Sequence, residues 1–214
     1  MQTKHFGITL ALLSLISIFV MLHHPSISAT DVTGRIAELR QESMLNAWVH
    51  GGLIAMVILI NFCLTVFAQQ RQYLTHSSAL FGLIAYWLGT LAVIVAALIS
   101  GFIIPQLAES YLHANATELT VFSGMTSLYW LTNQSLANFG TICWCVAICA
   151  WAIEMFRSKG VTRLFGSAYS IAALVIIFCL LSNVLTLSVT GMTLVLLVIS
   201  TWQLGIAWLL YNPK

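Results

Sequence analysis

The stretch from Asn46 to Ala68 reads NAWVHGGLIAMVILINFCLTVFA. It is long and apolar enough to cross a lipid bilayer, which takes roughly 20 apolar residues. Asn46, His50 and Asn61 recur at helical spacing, so they share one face of the predicted helix. Polar side chains are costly in hydrocarbon, and this face is therefore predicted to point into a bundle of helices. The stretch indicates an all-α membrane protein.

The composition of the whole chain agrees with that fold class. Of its 214 residues, 60% are hydrophobic and 7% are charged, whereas soluble domains carry about 25% charged residues. We expect a single membrane domain over residues 1–214, with the lipid bilayer as its main partner. The net charge of +2 without a basic run argues against nucleic acid as a partner. The chain contains no phosphate loop, dinucleotide fingerprint or zinc-protease motif, so an enzyme is the less favoured interpretation.

Apolar runs predict six membrane spans, at about residues 6–22, 46–68, 79–104, 132–156, 164–186 and 190–210. An N-in, C-in orientation puts six of the eight Lys and Arg residues inside, namely Lys4, Arg71, Arg157, Lys159, Arg163 and Lys214. Only Arg35 and Arg40 fall outside. If residues 1–29 form a cleaved signal peptide instead, five spans remain. The 17-residue apolar run at 6–22 favours a retained helix, because signal-peptide cores are usually shorter.

The segments between spans suggest further structure. Residues 30–45 are predicted to form a short amphipathic helix on the outer surface, and residues 105–120 an outer loop. A separate interfacial helix is expected near 119–130, before the fourth span. Pro105 is expected to kink or end the third span. That span carries small residues at helical spacing, which predicts close packing against another helix: Gly82, Ala85, Gly89, Ala92 and Ala96.

A short similarity suggests an internal repeat. Leu80-Phe81-Gly82 opens the third span and Leu164-Phe165-Gly166 opens the fifth. Duplication of two helical hairpins, formed by spans 2 and 3 and by spans 4 and 5, is one interpretation. It would place the polar faces of the second and fourth spans opposite each other.

Histidines are concentrated on the predicted outer side. Four of the six are expected there, together with Met21, Met44 and Met125: His23, His24, His50 and His113. Neutral imidazole binds copper, zinc or iron, and thioether sulfur favours Cu(I). His24 follows the first span and His50 opens the second, so their rings are expected at similar depth. We therefore predict a binding or accessory protein with an outer copper or haem b site on His24 and His50, with His23, His113 and Asn133 as second choices.

Structural roles compete with this hypothesis. His50 could instead hydrogen-bond Asn46, Asn133 or Asn138 within the bundle. On the inner side, His76 is predicted to be a solvated loop residue. Glu154, the one carboxylate within a span, is expected to reach the inner surface near Arg157 and Lys159.

Two other function classes fit the polar pattern. A small permease could use Asn61 of the second span and Asn138 of the fourth, although such residues also join helices. A third interpretation is a structural subunit of a larger membrane complex or a homo-oligomer, and a small-residue seam of the third span that faces lipid would support it. All five cysteines lie in apolar stretches, so neither a disulfide framework nor a zinc knuckle is expected.

Three motifs carry a resemblance to other sequences. His23-His24-Pro25 follows the first span, WVHGG at residues 48–52 opens the second, and NQSLANFG at residues 133–140 opens the fourth. Together they resemble a group of uncharacterised small bacterial inner-membrane proteins. The resemblance implies a helical bundle in the bacterial inner membrane and assigns no residue a catalytic role.

Overall fold

The computed structural model describes residues 2–212, and no β-strand occurs among them. The chain forms eight α-helices in this range: α1 Gln2–Leu22, α2 Val32–Gln41, α3 Ser43–Gln70, α4 Ser77–Leu98, α5 Ile104–Ser110, α6 Ala116–Phe156, α7 Val161–Leu181 and α8 Val189–Tyr211. A 3-10 turn at Tyr73–Thr75 precedes α4, and a π-helical segment at Ile99–Ile103 joins α4 to α5.

Six helical segments in residues 2–212 are long and apolar enough to span a membrane, which confirms the predicted all-α, six-span bundle. The segments are Lys4–Leu22, Ser43–Gln70, Ser77–Ser110, Ala116–Phe156, Val161–Leu181 and Val189–Tyr211. Lys214, counted above among the inner charges, lies outside the described residues. We call the end of the bundle that carries His24 and His50 the outer end, following the predicted orientation, and the opposite end the inner end.

Helix α6 differs from the prediction. It is one unbroken helix of 41 residues, so the expected separate interfacial helix at 119–130 is wrong. At 1.5 Å per residue it is about 60 Å long, twice the thickness of the hydrocarbon core. It begins at a capping box, in which Asn115 accepts from the backbone N–H of Glu118 and the Glu118 carboxylate accepts from that of Asn115. The helix is therefore longer than one crossing of the hydrocarbon core requires.

The predicted outer loop at 105–120 is largely helical too. The chain continues from α4 through the π-helical segment into α5, and Pro105 lies in the first turn of α5. Because Pro105 has no N–H, it cannot bond a carbonyl of the preceding turn, yet the helical run continues past it to Ser110. Pro105 therefore does not end the helical run.

Helices α2 and α5 and the outer part of α6 form a small unit that we call the outer cap. Ile36, Ala108 and Phe122 are buried together at its centre. Arg40 and Glu109 form an exposed ion pair across it, with Nε and Oε2 3.2 Å apart. The amphipathic helix predicted for residues 30–45 is confirmed in α2.

Small residues place α4 against α6. A Cβ added at Gly89 would lie 2.6 Å from the backbone oxygen of Gly140, and one at Gly140 would lie 2.7 Å from that of Gly89. The predicted close packing is therefore confirmed, because only glycine allows this approach on both helices. The seam faces α6 within the bundle, so it is not the lipid-facing seam that would support a structural subunit.

The polar faces of α3 and α6 do not pair directly. Asn61 of α3 donates to Oγ1 of Thr90 on α4 at 2.5 Å, and Trp144 of α6 donates to the same oxygen at 3.1 Å. Thr90 therefore lies between them, and the face-to-face arrangement expected from duplication is wrong. Duplication itself stays a prediction.

Candidate functional site

The structure brings His24 and His50 together at the outer end. Their Nε2 atoms are 3.3 Å apart, and their rings meet edge to face with centroids 4.8 Å apart. His50 is only 5% exposed, whereas His24 is half-buried in the loop that follows α1. The pair predicted from helix ends at similar depth is thus present as a direct contact.

The π-helical segment makes room for the ring of His50. A Cβ added at Gly101 would overlap Cβ and Cγ of His50, so only glycine fits at that position. Single-turn π segments of this kind are frequent at functional sites. The His50 ring is fixed further by its Nδ1, which lies 2.9 Å from the backbone oxygen of Asn46.

Two predicted polar residues hold this segment in place. Asn46 donates from Nδ2 to the backbone oxygen of Ser100 at 2.8 Å, and Asn133 donates from Nδ2 to Oγ of the same serine. The expected link between Asn46 and His50 is confirmed, but it runs through the backbone of Asn46. Asn133 supports the site through Ser100 rather than by touching either ring.

The hydrogen bonds of the two rings determine which nitrogen carries the proton. Nδ1 of His24 lies 2.7 Å from the backbone oxygen of Pro25, just as Nδ1 of His50 contacts that of Asn46. A carbonyl oxygen only accepts, so each Nδ1 must donate, and each neutral ring then keeps a bare lone pair on Nε2. Burial lowers the pKa of His24 below its usual 6.5, although the bond to Pro25 opposes the shift, and this favours the neutral form. The two nitrogens that carry these lone pairs therefore lie 3.3 Å apart.

Two cavities meet at the pair. An outer cavity of about 740 Å³ lies between the outer cap and the bundle, and its wall includes Arg35, Glu42 and Trp130 besides both histidines. A second cavity of about 400 Å³ runs between helices below the pair and is mostly apolar. Met21 lines this second cavity. The other two predicted methionines, Met44 and Met125, line neither of the two cavities. The His pair is thus reachable from the outer side.

The other predicted ligands lie elsewhere. His23 is exposed, and its Nδ1 bonds the backbone oxygen of Phe19 at 2.8 Å. His113 is also exposed. Met44 is 74% exposed, and the sulfur of Met125 accepts from the hydroxyl of Tyr111 instead. Within residues 2–212, no three His, Cys, Asp or Glu side chains are grouped closely enough to hold a metal ion.

Haem b fits the pair poorly. An iron ligated by both rings needs the porphyrin plane between them. Rings whose Nε2 atoms are 3.3 Å apart leave no space for such a plane. The two Nε2 atoms can instead bind a single small electron-pair acceptor between them.

The permease candidates take part in packing. Asn61 is fully buried and bonds Thr90, and neither Asn61 nor Asn138 lines either of the two cavities at the His pair. Asn138 is half-buried, and its Oδ1 has no partner, as is also true of Oδ1 of Asn61. The bond from Asn61 to Thr90 is typical of polar residues that join helices.

The sequence interpretation missed a carboxylate site at the inner end. Glu154 is 3% exposed rather than at the surface, and it accepts from Arg157 at 2.8 Å and from Ser78. Nδ1 of His76 lies 2.6 Å from the same carboxylate, so His76 is not simply solvated. The Arg157 contact was readable from its spacing of three residues, but His76 and Ser78 lie more than 70 residues away in the chain.

A buried network was missed as well. Gln203 of α8 accepts from Ser14 of α1 at 2.8 Å and donates to the hydroxyl of Tyr86 at 2.9 Å. The Tyr86 ring stacks on Trp151 and Trp202. The sequence did offer a sign of this network, because Gln203 is a polar residue within the last apolar span. The network joins α1, α4 and α8, and none of its residues lines either of the two cavities at the His pair.

Comparison of the chain with protein families, curated proteins and solved structures finds no match.

Proposed function

We propose that the chain is a multi-pass protein of the bacterial inner membrane that binds one metal ion at its outer end, between His24 and His50. The observation that supports this is the convergence of two imidazole lone pairs, each on a ring whose other nitrogen is occupied. Metal-binding histidines commonly donate their second N–H to a carbonyl or carboxylate, which fixes the tautomer in just this way.

The separation of the two nitrogens suits one ion. Ligands at about 2.0–2.1 Å from a tetrahedral zinc ion lie roughly 3.3–3.4 Å apart. The Nε2 atoms of His24 and His50 are 3.3 Å apart. Copper binds nitrogen ligands more tightly than zinc does, and Met21 offers a thioether at the border of the adjoining cavity. We therefore propose copper as the preferred ion.

The proposed role is to hold or hand over the ion. Two protein ligands leave coordination positions open, and the outer cavity of about 740 Å³ gives access to them. The interior packing of Asn61 and the bundle-facing seam of α4 favour this role over a permease or a structural subunit. A binding or accessory protein is thus the function that the geometry supports best.

The test is metal stoichiometry of the purified full-length protein. The wild type is loaded with copper or zinc, dialysed and measured by elemental analysis together with an absorption spectrum. We expect close to one ion per chain and no Soret band, with the ion lost in His24→Ala and in His50→Ala. His23→Ala is the matched control, because it removes the neighbouring exposed histidine and is expected to keep the ion. A wild type without stoichiometric metal, or an ion kept in both site variants, would refute the proposal.

A further inference from the structure

The loop that carries His24 is held from outside the membrane bundle. The Glu38 carboxylate of α2 accepts from the backbone N–H of Ser28 at 2.7 Å, from the Ser28 hydroxyl at 2.8 Å and from the backbone N–H of Ala29 at 3.1 Å. These bonds lower the pKa of Glu38 below its usual 4.5, so it is a carboxylate at neutral pH. Hydrogen bonds to an ionised acceptor are the stronger kind.

Few other hydrogen bonds fix that loop. Residues 24–30 have no regular structure, and the side chain of His24 bonds only the adjacent Pro25 and the His50 ring. The remaining bonds lie at its two ends, where the backbone N–H of His24 donates to Met21 at 3.2 Å and Arg35 donates to the backbone oxygen of Thr30 at 3.5 Å. Ser28 lies four residues after His24, so three bonds at Ser28 and Ala29 restrict where the His24 ring can lie. His50, in contrast, is on α3 and packs against Gly101. The site thus has one half on a helix and one half on a loop.

The outer cap gives Glu38 a fixed position. Ile36, two residues earlier on α2, is 3% exposed and packs with Ala108 and Phe122. The side chain of Asp31 caps α2 by accepting from the backbone N–H of Gly34 at 2.9 Å. A carboxylate on an anchored helix can therefore define the loop position instead of following it.

We propose that Glu38 is a positioning residue for the metal site, which it serves by holding the His24 loop over His50. This inference rests on the proposed function. It adds that the outer cap controls whether the site has two ligands or one. Outer-shell partners of metal ligands typically affect affinity by about 10–100-fold.

The first experiment compares copper affinity in the full-length protein. Glu38→Ala is expected to weaken binding by about 10–100-fold. Glu38→Gln is expected to restore most of the affinity, because the amide oxygen can accept both N–H groups and the amide nitrogen can donate to Ser28 Oγ. Glu109→Ala is the matched control, since it removes another cap carboxylate that pairs with Arg40 and not with the loop. Equal affinity in wild type and Glu38→Ala would overturn the positioning role while leaving the metal site intact.

A second, metal-free measurement separates the two proposals. Diethyl pyrocarbonate modifies neutral imidazole, and mass spectrometry of peptides reports the rate at His24, with exposed His23 as the internal reference. We expect slow modification of His24 in the wild type, a several-fold faster rate in Glu38→Ala, and a rate near wild type in Glu38→Gln. An unchanged His24 rate in Glu38→Ala refutes the positioning role whether or not metal binds. Absence of metal with a raised rate refutes only the proposed function.

Discussion

At the inner end of the bundle the Glu154 carboxylate is surrounded by three hydrogen-bonding side chains, whereas at the outer end His24 and His50 face each other with no donor between them. Both ends hold a deeply buried titratable residue, since Glu154 is 3% and His50 5% exposed. The inner group has its partners, and its role in stabilising the bundle is thereby explained.

The difference shows how to separate a structural polar site from one that binds a ligand. Buried polar groups are normally hydrogen-bonded, and the exceptions need an explanation. At the outer end the Nε2 lone pairs of His24 and His50 have no hydrogen-bond donor, and both residues line an accessible cavity. Changes at the outer end should therefore affect metal affinity, and changes at the inner end should affect stability.

The largest expected effect is at Gly101. In Gly101→Ala, the new methyl group collides with Cβ and Cγ of His50 and displaces its ring from His24. We expect copper affinity to fall by about 100-fold and the free energy of unfolding to fall by about 1–3 kcal/mol. Titration with a copper chelator measures the first, and Gly52→Ala is the control, because a Cβ there meets nothing within 4 Å. Equal affinities in the two variants would contradict the packing that holds His50.

The second prediction concerns the inner end. Glu154→Ala removes the acceptor shared by Ser78, His76 and Arg157, and we expect the free energy of unfolding to fall by about 1–3 kcal/mol. Copper affinity should stay at the wild-type value. Reversible unfolding in mixed detergent micelles measures stability, and Glu109→Ala, in an exposed ion pair, should change it by less than about 1 kcal/mol. A loss of copper binding in Glu154→Ala would break the separation of the two ends.

The third and smallest effect is the pH dependence of copper binding. The metal needs neutral imidazole, and burial lowers the pKa of His24 below its usual 6.5. Affinity should therefore be nearly constant above about pH 6.5 and decline only at lower pH, and the decline should approach about tenfold per pH unit for each protonated imidazole once the pH lies below the lowered pKa. Glu38 stays ionised through this range because its pKa lies below 4.5. Affinity measured from pH 8 to pH 5 checks this, and a decline that begins above pH 7.5 would point to another ligand.

Much of the fold was predictable because membrane spans are determined by apolar length. The six spans follow from hydropathy. The row of small residues that includes Gly89 predicted close packing against another helix. The continuity of α6 was missed because its outer residues looked like a separate amphipathic segment. The capping box of Asn115 and Glu118 was a readable sign of the helix start.

The site was predictable only in part. His24 follows the end of the first span and His50 lies near the start of the second. Their rings were therefore expected at a similar depth in the membrane, and this predicted that they would lie close together. The contact of Gly101 with His50 depends on the rotation of two helices about their axes, and the spacing of residues does not reveal that. His76 bonds Glu154 across 78 residues of sequence, so its partner becomes visible only in three dimensions. Glu38 bonds a loop nine and ten residues earlier, and because that loop is irregular no residue spacing predicts the contact.

The most direct test of the two-imidazole site is X-ray absorption at the copper edge of the loaded full-length protein. We expect the spectrum of the wild type to show two imidazole ligands, and that of His24→Ala, at saturating copper, to show one. A wild-type spectrum with no imidazole ligand, or a spectrum that is identical in His24→Ala, would contradict a metal site between His24 and His50.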